Sequence, residues 1–110
     1  MTVDPETRSG GAEQIETEAA FDRLVANNPR VLVDFYADWC GPCQLMAPTV
    51  DELAAERDTP IAKVDVDQLP QIATRYEVRS IPSFILFEDG TVDERLVGMH
   101  EKSALNEIIE

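Results

Sequence analysis

The sequence predicts an α/β fold, a mixed central β-sheet flanked by helices on both faces. Two observations carry this. Short apolar runs rich in β-branched and aromatic residues alternate with segments of helical period, which implies parallel strands joined by crossover helices. Towards the end, two strand-like runs flank Glu88-Asp89-Gly90, a strong hairpin signal that adds an antiparallel edge. With 110 residues, the chain has the length of one domain.

Residues 1–13 are polar, carry Pro5 and Gly10-Gly11, and show no apolar period, so they read as a flexible tail. Residues 14–110 read as the domain. From Thr17 the pattern turns helical. Thr17 suits the cap, Glu18 suits the positive helix start, and Phe21, Leu24 and Val25 recur on one face. Asn27-Asn28-Pro29 ends that helix. Val31–Tyr36 is apolar on both faces except at Asp34, as in a strand covered on both sides.

After Trp39, the residues Met46, Val50, Leu53 and Ala54 line one helical face, and Pro48 within them predicts a kink. Ile61–Val66 is a second buried strand. Gln71–Tyr76 is a short helical turn that Pro70 can open. Ser83–Phe87 and Thr91–Val97 form the hairpin, which Gly98 ends. In Lys102–Ile109, the residues Leu105, Ile108 and Ile109 share a helical face.

Charge narrows the function. The 22 acidic and 9 basic side chains leave −13 at pH 7. Such a field repels phosphate backbones and anionic lipid heads, so neither nucleic acid nor a membrane surface is an expected partner. No run approaches the ~18 apolar residues of a membrane span. The first residues lack a basic start followed by an apolar core, so no secretory signal is read and the cytoplasm is the expected compartment.

The two cysteines, Cys40 and Cys43, are too few for a disulfide scaffold. On a helical turn, residues three apart share a face, so their sulfurs can meet. Cys40 falls at a helix start, where unpaired N–H groups and the macrodipole favour a thiolate. Cys43, one turn in, is expected to be the more buried and to attack a mixed disulfide from within. A zinc site needs two more ligands, and His100 is the only other soft one; a metal or cluster shared by two chains, and a purely structural pair, stay open.

The stretch Val33-Asp34-Phe35-Tyr36-Ala37-Asp38-Trp39-Cys40-Gly41-Pro42-Cys43 resembles the active-site segment of the thioredoxin family. Ser80-Ile81-Pro82-Ser83, Asp89-Gly90 and Val97-Gly98 fall where that family has its proline loop, hairpin turn and late glycine. The resemblance runs from about residue 14 to the end and implies a thioredoxin fold. It implies a protein-disulfide reductase, an electron carrier whose redox-active disulfide serves without cofactor or metal. Cys40 attacks the substrate disulfide, Cys43 resolves the mixed disulfide, and a thioredoxin reductase restores the dithiol. Protein disulfides and that reductase are the implied partners, and a monomer is the expected state. Gly-Pro between the cysteines resembles the reducing members more than the oxidising ones.

The resemblance also assigns supporting roles. Asp34 becomes the proton acceptor for Cys43; its apolar neighbours Val33 and Phe35 argue for burial, which raises a carboxyl pKa. Lys63 resembles the family lysine near that aspartate, with an ordinary exposed lysine as the alternative. Pro82 is expected to follow a cis bond and to present the Ile81 backbone to an extended substrate. Trp39, Gly41, Pro42, Ile81, Val97 and Gly98 are expected to form an apolar groove beside Cys40. His100 reads as a surface histidine without a partner.

Several features depart from the family pattern. Tyr36 stands where many members carry a second tryptophan, and Met99-His100 follows Gly98 where small residues are usual. Lysine occurs only at Lys63 and Lys102 in this strongly acidic chain. A dense carboxylate surface is a lever used by halophiles, although acidic members from moderate salt share it. Two further readings remain open: an oxidoreductase dedicated to one pathway, and a binding module that uses the groove without the thiols.

Overall fold

In the computed structural model, which describes residues 12–110, the strand read at Val31–Tyr36 lies at the centre of one five-stranded sheet. The elements are β1 (Glu13–Ile15), α1 (Glu18–Asn27), β2 (Arg30–Tyr36), α2 (Gly41–Glu56), β3 (Ile61–Asp65), α3 (Pro70–Arg75), β4 (Ser83–Glu88), β5 (Thr91–Val97) and α4 (Lys102–Ile109). The strands lie in the order β1-β3-β2-β4-β5. The first three are parallel, while β4 and β5 pair antiparallel. This is the mixed α/β sheet that the alternating pattern and the hairpin predicted.

One strand was not legible. β1 has three residues, only Ile15 of them buried, and no period to read. Pairing with β3 imposes its extended form, Glu13 opposite Ala62 and Ile15 opposite Val64. Glu13 therefore belongs to the sheet, one residue inside the segment read as a tail; residues 1–11 of that segment lie outside the described residues.

Period-two alternation divides the core between the faces of the sheet. Val31, Val33, Phe35, Ala62 and Val64 pack with Phe21 and Val25 of α1 and Ile72 of α3. Leu32, Ile61, Phe84 and Leu86 pack on the other face with Met46, Val50 and Leu53 of α2 and Leu105 and Ile109 of α4. Asp34 shares this second face with Leu32 and Tyr36, which turns its carboxyl towards α2. The helix α2 continues through Pro48.

The ends of the elements follow from local chemistry. Thr17 caps α1, its hydroxyl accepting the Ala20 N–H at 3.0 Å. Arg30 donates to the last carbonyls of α4, Ile108 at 3.0 Å and Ile109 at 2.6 Å, which seats that helix against the start of β2. Arg75 pairs with Glu18 and Asp22, joining α3 to α1, and Lys102 pairs with Glu52 and Glu56, joining α4 to α2. Exposed pairs of this kind contribute about 0–1 kcal/mol each, so they orient helices more than they stabilise the fold.

After α3 the chain turns through Glu77 at φ 57°, and the Val78 N–H reaches back to Ala73 at 2.8 Å. That left-handed turn closes the helix and sends the chain towards residues 79–82.

Candidate active site

The site is built where β2 ends. Its last residue, Tyr36, is tied by its carbonyl to the Val66 N–H at 2.9 Å, so the loops after β2 and β3 stay together. Trp39 reinforces this: its indole N–H donates to Asp67 at 2.8 Å while the Asp67 N–H donates to Asp65 at 2.9 Å. Neither aspartate stood out in the sequence as a site residue. Their only signal was acidity in a polar stretch, and an indole partner across two loops leaves no trace there.

Cys40 is the N-cap of α2, and the helix begins with Gly41 and Pro42. Proline suits the first turn because its missing N–H would have no intrahelical acceptor there. Cys40 and Cys43 are joined as a disulfide, with Cα atoms 5.2 Å apart. The Cys43 N–H donates to the Cys40 sulfur at 3.2 Å. This is one of the free donors of a helix start, aimed at the sulfur expected to carry negative charge.

The expectation that Cys43 is the more buried is not met. Cys40 is 4% exposed and Cys43 8%. The disulfide packs with Ala37, under Tyr36, Val66 and Ile81, and that cover shields both sulfurs. What separates the cysteines is their place on the helix and the side they face, since Cys43 also lines a cleft of about 140 Å³ with Asp34, Tyr36, Asp38, Gln44 and Lys63.

Asp34 is buried, and its Oδ1 has no hydrogen-bond partner among the described residues. Burial is the largest cause that pushes its pKa up to about 7; Lys63 opposes the rise and Asp51 adds to it. An acceptor that titrates near neutral pH, facing the same cleft as Cys43, is suited to take a thiol proton. The cleft has room for water between them. Lys63 is half-buried and stands opposite Asp34 in the β2–β3 register. Its ammonium lies 4.6 Å from the centre of the Tyr36 ring.

Of the residues read as a groove, Pro82, Val97 and Gly98 come together through the hairpin. Ser83 pairs with Val97, and the Gly98 N–H donates to the Pro82 carbonyl at 2.7 Å, which sets the two loops side by side. The Ile81–Pro82 bond is cis, as expected. Gly98 has φ 90°, a left-handed conformation costly for any side chain with a Cβ, so it is more than a strand terminator. Val97 is apolar yet exposed at this junction, at 52%, and Trp39, in the loop before Cys40, is exposed at 70%. Met99, just after Gly98, is also exposed, at 55%, and was not among the residues assigned to the groove. His100 is not without a partner: its Nε2 lies 3.0 Å from the Val97 carbonyl, and its N–H meets the Met46 sulfur at 3.4 Å.

Comparison with known proteins agrees with this geometry. The sequence model of the family described as Thioredoxin matches residues 12–110. A thioredoxin of Mycoplasmoides gallisepticum is 42% identical over 98 residues, covering 88% of this chain and 98% of its own. A thioredoxin of Mycobacterium tuberculosis is 50% identical over 93 residues, covering 81% of this chain and 79% of its own. Among solved structures, a mutant thioredoxin from Halobacterium salinarum NRC-1 superposes with a TM-score of 0.87 at 39% identity, covering 100% of this chain and 94% of that one.

Proposed function

This chain belongs to the thioredoxin family, and on that premise we propose how its two cysteines and their neighbours divide the work. The protein is a thiol–disulfide oxidoreductase acting through the Cys40–Cys43 pair. In the proposed cycle the Cys40 thiolate attacks a substrate disulfide, forming a mixed disulfide and releasing one substrate thiolate. Cys43 then gives its proton towards Asp34 and attacks the Cys40 sulfur. The second substrate thiolate leaves, and Cys40–Cys43 closes. Two electrons pass from the dithiol to the substrate, whose sulfurs end as thiols.

The observation that carries this order is the Cys43 N–H aimed at the Cys40 sulfur from the helix start. Only the first cysteine receives that donor, and the dipole effect fades within a turn. At neutral pH, limiting iodoacetamide is therefore expected to alkylate Cys40 of the reduced chain well before Cys43. Peptide mapping of the alkylated protein checks this, and equal rates would remove the assignment.

Trp39, Gly41, Pro42, Ile81, Pro82, Val97 and Gly98 form the proposed groove for an extended substrate segment. Ile81 packs against the disulfide, which supports its place at the reacting end. Lys63 moderates the charge of Asp34. The partners are protein disulfides and a reductase that restores the dithiol, and the chain works as a monomer in the cytoplasm.

The acidic surface is an adaptation to high salt. Cations at Arg30, Arg57, Arg75 and Lys102 hold carboxylates of neighbouring elements, but 22 acids face only 9 bases. Self-repulsion weakens as the Debye length shrinks from ~10 Å at 0.1 M salt to ~3 Å at 1 M. The melting temperature is expected to rise between about 0.1 M and about 2 M KCl, by about 4–8 °C for each kcal/mol of repulsion removed. A flat or falling melting curve would remove this reading.

A further inference from the structure

The aromatic ring at position 36 is unexplained by the cycle above. Tyr36, Asp34, Lys63 and Gln14 lie on one face of the sheet, Lys63 being the register partner of both Asp34 on β2 and Gln14 on β1. Lys63 is the cation best placed to neutralise Asp34. Its ammonium instead sits over the Tyr36 ring, 4.6 Å from the centroid, and no ion pair joins it to Asp34 within 4 Å among the described residues. The ring is itself held: the Tyr36 hydroxyl donates to Gln14 Oε1 at 2.9 Å. Asp34 Oδ1 is left buried without a partner.

We propose that Tyr36 is a positioning residue for the disulfide exchange: its ring holds the Lys63 ammonium away from Asp34, so that Asp34 keeps an unpaired oxygen for the Cys43 proton. The attraction of a cation to a tyrosine face supplies the hold. A lysine stem is long and flexible enough to swing to a neighbouring carboxylate once that hold is lost. The proposal rests on Asp34 being the acceptor. The charged and titratable groups around Asp34 are Lys63 from β3, Tyr36 from its own strand, Asp51 and Cys43 from α2, and Asp38 from the loop that closes the cleft.

The test is the titration of the Asp34 carboxyl, followed by carbon NMR in the oxidised full-length protein. Tyr36→Leu is expected to let Lys63 settle on Asp34 and to lower its midpoint by about one pH unit, the size of effect that a close opposite charge produces. Tyr36→Phe keeps the ring and is expected to leave the midpoint near that of the parent. In a Lys63→Met background, Tyr36→Leu is expected to move nothing, because no cation is left to release. A midpoint unmoved by Tyr36→Leu, or moved equally in both backgrounds, would overturn the proposal. The pH profile of protein-disulfide reduction separates the two readings. If the titration shifts as expected and the profile does not, Tyr36 positions Lys63 and Asp34 is not the acceptor.

Discussion

Cys43→Ser is expected to accumulate as covalent complexes with its targets. The variant keeps the Cys40 sulfur at the N-cap, where a thiolate attacks substrate disulfides, and lacks the thiol that would release the product. Each encounter then stops at the mixed disulfide, and multiple-turnover reduction falls to background. Dithiothreitol should release the partners, since an external thiol can do what Cys43 no longer does. Cys40→Ser is expected to trap far less. Cys43 lies inside the first turn and faces the Asp34 cleft, so its sulfur lacks the free helix donor that reaches Cys40.

Affinity isolation with and without reductant, followed by mass spectrometry, reads both variants. The captured proteins should be thiol enzymes whose cycles end in a disulfide, together with the cognate reductase. No capture by Cys43→Ser, under conditions where the parent turns over, would end the two-step mechanism. Equal capture by Cys40→Ser would reverse the roles.

The second large effect is on stability. Asp34 titrates near 3.8 in an unfolded chain and about 7 in the fold, chiefly because burial disfavours its charge. Well below 3.8, at pH 3 and lower, both states hold most of the proton and the difference is small. As pH rises towards 7, the unfolded chain gives up the proton while the folded one keeps it, so stability falls. Above 7 both are ionised and the full cost remains. At ~1.36 kcal/mol per pH unit, that cost is about 4 kcal/mol.

Asp34→Asn removes the titration. Its stability gain is expected to be near zero at pH 3 and to approach about 2–4 kcal/mol at pH 8–9, reduced where the buried amide N–H lacks a partner. Denaturant melts of both chains across pH give the curve directly. Parallel stability–pH curves would show that Asp34 does not carry the burial cost. The same variant should slow resolution of the mixed disulfide, because the amide takes no proton from Cys43.

Much of this architecture was legible because it is local. Thr17 caps the helix it precedes, Asp89-Gly90 turns the hairpin it sits in, and Lys102–Ile109 shows its buried face within eight residues. The dithiol was the most legible part, since attacking sulfur, helix start and second sulfur occupy one turn. Asp34 was readable for a similar reason: an acid between Val33 and Phe35 in an apolar strand has little choice but burial. Lys63 was less so, because a half-buried lysine on a strand looks like an exposed one until its neighbours are known.

The sequence by itself determined the order of elements and the cysteine pair at the head of α2, each set by interactions within a few residues. Tertiary structure alone decided which residues meet across the chain. Strand pairing made β1 from three residues without a period and put Gln14 beside Lys63. Loop packing joined Trp39 to Asp67 and set the His100 backbone N–H against the Met46 sulfur. It also buried both cysteines, Cys40 slightly the deeper, against the expectation that Cys43 would be the more buried. The physical reason is one of range: caps, turns and amphipathic faces act along the chain, whereas burial, desolvation and the choice of a partner for a charge depend on segments that only the folded sheet brings side by side.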